Sequence, residues 1–304
     1  MTFSKKNFVD GSFFLYEKFK EDKPFATGKI GNCELICVYN YFYFNHRKEP
    51  TQWAPNVIEE TYNNTGVFPK TEEARLDYIN QLTDDLKDID SLAWWSMFNL
   101  DFEARYIKKY SPNCELIDLQ SLEPFYSGSP WTEHLKDKKV LVISPFTESI
   151  KTQYSIKDKI WKDPRILPDF ELLTIKHQHS PGIDKPSSYE SWIVMVEDIK
   201  RQMSSLDYDV LLVGAGASAL PLVAHAKRSG KKGIHLGGPL QLLFGIKGSR
   251  WDNGPIGKHF YNEHWIRPSL EETPEKFKNI ENAISHVLAT NPKLNEQYLD
   301  EVRL

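Results

Sequence analysis

"YDVLLVGAGASALPLVAHAKRSGKKGIHLGG", residues 208–238, contains one complete supersecondary unit. Residues 209–213 have the length and composition of a buried strand. They run into Gly214, Ala215, Gly216, Ala217 and Ser218, small residues that suit a tight turn, and a helical stretch follows. "RSGKKG" stops that helix, and a second apolar run leads to Gly237 and Gly238. Strand, turn, helix, stop and strand make a βαβ unit, whose parallel strands need a helical crossover packed on the sheet.

The same alternation extends upstream. "KKVLVISPF" (138–146) is a continuous apolar strand, "ESIKTQYSIKDKIW" a helix, and "FELLTIKH" (170–177) another strand. "YESWIVMVEDIKRQMSSL" places Trp192, Val196, Ile199 and Met203 near one helical face, and "EARLDYINQLTDDLKDI" does the same with Leu76, Ile79, Leu82, Leu86 and Ile89. "SLAWWSM" (91–97) and "CELIDL" (114–119) read as buried strands, and "SLEETPEKFKNIENAISHVL" (269–288) as a capped closing helix. The fold expected is α/β: an open, mostly parallel, Rossmann-like sheet with helices on both faces. One domain over 1–304 is expected, less regular between about 98 and 137, because no low-complexity linker divides the chain.

Composition sets limits on function. With 26% charged residues and a formal net charge of -4, there is no dense basic block to bind nucleic acid. No long uncharged apolar run suggests a membrane span, and "MTFSKKNFVDGSFF" is too polar for a secretory signal. A cytoplasmic chain is the expectation. The 3 cysteines, Cys33, Cys37 and Cys114, are too few for a disulfide framework, and the spacing of the first two is not that of a zinc or redox site. The 8 Trp, 14 Tyr and 17 Phe exceed what a simple core needs, so some of these rings are free to line a sugar or base surface.

Chemistry concentrates at the strand ends. Backbone N–H groups near Gly214, Gly216 and Ser218 suit a phosphate, although Ser218 also reads as an N-cap. Ser144 and Pro145 end another strand, so Ser144 is a second contact candidate, with Lys151 nearby in sequence. His177 and His179 in "KHQHSPG" share a face of extended chain but lack a third metal ligand at local spacing. The glycine-rich loop "GGPLQLLFGIKGSRWDNG" (237–254) brings Lys247, Arg250 and Asp252 together and leads to Asn262, Glu263 and His264; Trp251 and Trp265 stack on a ring or fill core. In "FATGKIGNCELICVYNYF" (25–42), a glycine-flanked turn precedes Glu34, which reads either as a site carboxylate or as the acidic first turn of a buried helix.

The early and late stretches together resemble the GT-D type of glycosyltransferase, an α/β family that uses nucleotide-sugar donors. The family's Arg-x-Gly-Asp-Gly-Glu motif is similar to Lys29, Gly31, Asn32, Cys33 and Glu34 here, with Asn32 in place of the aspartate. Its late strand, turn, helix and short Asp-Ile-Gly motif resemble "LLVGAGASALPLVAHAKRSGKKGIHLGG", with His235 and Gly237 in the motif's region. The resemblance spans about residues 23–265. The runs "LLFGIKGSRWDN" and "YNEHWIRP" resemble domains attached to polysaccharide-synthesis enzymes. It implies sugar transfer from a nucleotide-diphosphate donor to a glycan acceptor. Lys29, Gly31, Asn32 and His235 would then join the donor contacts, and Glu34 or Asp252 would be the base. It also implies a Mg²⁺ or Mn²⁺ ion at Glu34, although Asn32 removes one hard charged oxygen. A non-catalytic nucleotide- or glycan-binding module is the alternative. A nicotinamide-dependent oxidoreductase fits less well, because Ser218 replaces the third glycine of the fingerprint and no acidic residue follows it.

Overall fold

The computed structural model describes residues 3–178 and 188–273. His179 and most of the expected closing helix lie outside the described residues; of the latter, only the short turn Leu270–Glu272 is described.

Seven strands form one sheet: β1 Phe25–Lys29, β2 Ser91–Ala93, β3 Glu115–Ile117, β4 Lys139–Ser144, β5 Glu171–Lys176, β6 Val210–Val213 and β7 Lys232–His235. Their spatial order is β3-β2-β1-β7-β6-β4-β5, and every pairing is parallel. The short apolar strands have helices on both faces because successive side chains point to opposite sides. Leu141, Ile143, Leu211 and Val213 join one buried cluster, with the helices Asn32–His46, Glu72–Asp85, Trp192–Ser204 and Ala219–Arg228. Val140, Val142, Val210 and Leu212 join the other, with Phe8–Lys20, Thr147–Tyr154 and Pro239–Leu243.

The expected βαβ unit is present in full. Other segments differ from expectation for identifiable reasons. Within 25–42, where a glycine-flanked turn is expected before Glu34, the chain is a central strand as far as Lys29. Gly28 suits that strand because a Cβ there would lie 2.6 Å from His235 Cβ on β7. The strand at 91–97 is only three residues long. Side chains capture the next backbone N–H groups: Glu103 accepts from Trp95 at 3.1 Å and Ser96 at 2.8 Å, and Asn32 accepts from Met97 at 3.1 Å. The region from 98 to 137 contains an 11-residue helix, Leu100–Tyr110, whose N-cap Asn99 accepts from Phe102 N. The helix Phe8–Lys20, capped by Asn7, was also unanticipated.

Above β1 and β7 the chain diverges. After β1 it enters the helix Asn32–His46 on one face. After β7 it turns to the other, where Trp161 Nε1 donates to Leu243 O at 2.7 Å and Gln153 Nε2 donates to Gly245 O at 3.0 Å. Diverging connections open a crevice at the carboxyl ends of parallel strands.

Gly216 has φ +52°, and a Cβ there would strike the Thr65 carbonyl oxygen. Gly216→Ala should therefore lower unfolding free energy in urea by about 1–3 kcal/mol. An unchanged midpoint would contradict this packing.

Candidate functional site

Lys29 ends β1 and His235 ends β7, side by side. His235 Nδ1 lies 3.0 Å from the Lys29 carbonyl oxygen, which can only accept, so Nδ1 carries the proton and Nε2 keeps its lone pair. Burial, and after it the Lys29 charge, push His235 down to about 3, so its ring stays neutral. Next along β7's exit is Gly237, with φ +65°. A Cβ on Gly237 would sit 3.0 Å from Lys29 Cε, 3.4 Å from its Nζ and 3.5 Å from His235 Nε2. The missing side chain leaves the ammonium and the imidazole facing the same space.

Gly31 is the N-cap of the helix Asn32–His46, and Glu34 lies in its first turn. A Cβ on Gly31 would collide with the Glu34 carboxylate, which folds back over the cap. Glu34 is therefore a first-turn acid, and it also feels the Lys29 charge. Burial raises its pKa, while its own backbone N–H and Lys29 act in the opposite direction. Trp95 supplies a wall. Its Nε1 donates to Ile30 O at 3.0 Å, and Lys29 Nζ lies 5.1 Å from its ring centre.

Two further charges act here. Burial, and then the Arg250 charge, lower Lys29 to about 8, opposed by Glu123 and Glu34. Burial raises Glu123 to about 7, opposed by Lys29 and Arg250. The guanidinium carbon of Arg250 stacks 3.8 Å from the centre of the Trp251 ring. A side chain on Gly238 would collide with both residues. Lys29, Glu34, Glu123, Arg250 and neutral His235 thus form one electrostatic group at the β1/β7 edge. Sequence reasoning missed Glu123 and Trp95, because each sits in irregular chain without a periodic pattern.

The remaining candidates do other work. Asn32 Oδ1 accepts from Ser96 Oγ at 3.2 Å and from Met97 N, so it holds a turn. Ser144 Oγ is buried and accepts from Phe146 N at 3.1 Å, a local turn contact. Ser218 is 1% exposed, and its hydroxyl lies 3.1 Å from His177 Nε2 and 3.0 Å from Trp192 Nε1. Ser218 does stand at the N-cap position of the helix Ala219–Arg228, but its side chain makes no cap hydrogen bond. The glycines before it meet the chain itself: Gly214 faces the Gly237 carbonyl oxygen, and Gly216 faces Thr65.

In the late loop, Lys247 Nζ lies 5.4 Å from the Tyr261 ring centre, and Asp252 pairs with Arg267 at 2.5 Å. Asn262 holds Lys159 O and Ile160 O, His264 faces Glu263 at 3.5 Å, and Trp265 is core. Lys151 pairs with Glu148 at 2.8 Å.

No protein-family model, curated protein or solved structure matches this chain. What the fold and site do show is a parallel Rossmann-like sheet of the kind that accommodates nucleotides and similar ligands at strand ends. No helix among the described residues is long and apolar enough to cross a membrane. The residues present do not fit a divalent cation. Among the described residues no three His, Cys, Asp or Glu side chains gather, Asn32 Oδ1 is already used, and Glu34 faces an ammonium.

Glu123 gives this electrostatic group a pH signature. Its carboxyl is held near 7 when folded and titrates near 4.5 as its ordinary value. The folded state therefore binds more protons across that window, and Glu123 makes stability fall as pH rises from about 4.5 to 7. Glu123→Gln should remove that contribution. In urea unfolding the variant should gain on the wild type between pH 4.5 and 7; a constant difference would contradict the burial of this carboxyl.

Proposed function

We propose that the chain is a glycosyltransferase of the GT-D kind. It takes a sugar from a nucleotide-diphosphate donor and passes it to a carbohydrate acceptor in glycan synthesis. One observation carries the reading: Lys29, Arg250, Glu34 and Glu123 act on one another at the carboxyl ends of β1 and β7, where Gly237 keeps a side chain off Lys29.

Breaking the bond between the anomeric carbon and the diphosphate leaves negative charge on the departing oxygen. The Lys29 ammonium and Arg250 guanidinium are placed to receive it, without reorganisation, next to buried surface. The acceptor hydroxyl forms the new bond to the anomeric carbon, and its proton passes to a carboxylate. Glu34 suits that role: burial raises its proton affinity, and the helix start fixes its position. Asp252 is the less available candidate because Arg267 holds one of its oxygens. His235 contributes neutral polarity rather than charge. The proposal assigns charge neutralisation to the two cations, and no step runs through a metal ion.

A binding module without turnover is the second reading. Asn32 favours it, because the amide that replaces the family aspartate is consumed in holding residues 96–97.

Isothermal titration with UDP and GDP, together with transfer assays over a panel of their sugars, separates these readings. Lys29→Met and Arg250→Ala should each weaken the preferred diphosphate by about tenfold or more, the worth of a charge-assisted hydrogen bond. Affinity should also fall as pH rises through 8, where Lys29 loses its proton. Glu34→Gln should abolish transfer and leave diphosphate affinity within about twofold of wild type, because the residue acts on the acceptor proton. Binding without turnover in the wild type, across a broad donor panel, would favour the module reading. No diphosphate binding at all would exclude both.

A further inference from the structure

Charge neutralisation at the β1/β7 edge makes no use of the lone pair on His235 Nε2. His235 is 4% exposed, and its ring is held at the other nitrogen, where Nδ1–H donates to Lys29 O at 3.0 Å. Nε2 has no hydrogen-bond partner among the described residues. A buried acceptor left unpaired carries its full desolvation cost, so a donor brought to it is favoured. Nε2 lies 3.5 Å from the position that a Cβ on Gly237 would occupy, and Lys29 Nζ lies 3.4 Å from the same position. The Lys29 ammonium is 5.1 Å from the Trp95 ring centre and likewise has no hydrogen bond or ion pair among the described residues. The niche between them is not enclosed: Lys29, Gly31, Glu34, Trp95, Gly237 and Gly238 are each partly exposed.

The two nitrogens make opposite demands. Lys29 Nζ can only donate and neutral His235 Nε2 can only accept, so one atom in reach of both must accept and donate at once. An ionised phosphate or carboxylate oxygen has no hydrogen to give and would turn a lone pair on Nε2. An ammonium group would meet Nε2 but repel Lys29. A hydroxyl satisfies both, because its oxygen accepts from Nζ and its hydrogen goes to Nε2.

We propose that His235 and Lys29 together select the hydroxyl on C2 of the donor sugar, seated over Gly237. This rests on the glycosyl-transfer reading in one respect, that a sugar diphosphate occupies the edge. The C2 hydroxyl is the one next to the anomeric carbon, and so the nearest to a diphosphate held by Lys29 and Arg250. An ammonium has three donors, so Lys29 can serve a phosphate oxygen and this hydroxyl together. The bond strengthens during transfer. As the diphosphate departs, positive charge grows on the anomeric carbon and makes the C2 hydroxyl a stronger donor. Burial and the Lys29 charge keep the ring neutral, so it accepts that hydrogen without repelling the diphosphate as a carboxylate would.

Calorimetry on the full chain tests this with UDP, UDP-glucose and UDP-2-deoxy-2-fluoroglucose, and with GDP, GDP-mannose and its 2-deoxy-2-fluoro counterpart. Fluorine keeps roughly the size of the hydroxyl but has no hydrogen to give. For whichever sugar nucleotide binds more tightly, the wild type should prefer the 2-hydroxyl form by about tenfold, the worth of a buried acceptor left unpaired. His235→Asn keeps an N–H where Nδ1 stood and removes Nε2, and should reduce that preference to within about twofold. Long-range proton–nitrogen NMR spectra of the wild type should show Nε2 unprotonated, and shifted by the hydroxyl form but not by the fluoro form; this readout needs no variant. Equal affinity for the two forms in the wild type, or a preference that folded His235→Asn retains, would overturn the proposal while nucleotide binding leaves the transferase reading standing. Absence of binding by every one of these nucleotides would instead sink that reading, and this inference with it.

Discussion

The pairing of β1 with β7 determines the rest of the site. Where the two strands end, Gly28 lets them approach at His235, and the His235 Nδ1–H holds the Lys29 carbonyl. That contact fixes the direction in which the chain leaves β1. Lys29 comes next to Gly237, Gly31 follows as a helix cap, and Glu34 is delivered one turn later. A bulkier residue at 28 would push the strands apart, and one at 237 would cover the ammonium. The two glycines therefore serve the site by being small, at positions where the chain meets its own neighbours.

The alternation of strands and helices was legible because it depends on local pattern. Short apolar runs ending in glycine or serine turns, with amphipathic helices between them, are sufficient to specify a parallel sheet with two covered faces. The helix Leu100–Tyr110 was legible in principle, with Asn99 as cap, acids in its first turn and lysines in its last. Its apolar stripe is partly aromatic, which obscured the period. Strand β1 was hidden by its glycine, and the shortness of β2 follows from bonds made by Asn32 and Glu103, distant in sequence.

The site was legible in part. Lys29, Gly31, Glu34 and Arg250 do converge, whereas Ser144 and Ser218 are buried in structural contacts and Asp252 pairs with Arg267. On composition the glycine turn at 214–216 reads as the stronger phosphate cradle, but tight packing against Gly237 and Thr65 accounts for its glycines. A glycine required by the chain's own backbone and one required by a ligand look alike in a sequence. Glu123 could not be found at all, because its relevance comes from the Lys29 and Arg250 charges alone.

The central claim is that anionic ligand chemistry takes place above β1 and β7 rather than at the β6 turn. A crystal structure of the chain with bound nucleoside diphosphate tests this most directly. The account predicts phosphate oxygens within hydrogen-bonding distance of Lys29 Nζ, over Gly237, with Arg250 on their far side. Phosphates seated on the backbone of Gly214 to Ser218, away from Lys29, would contradict it.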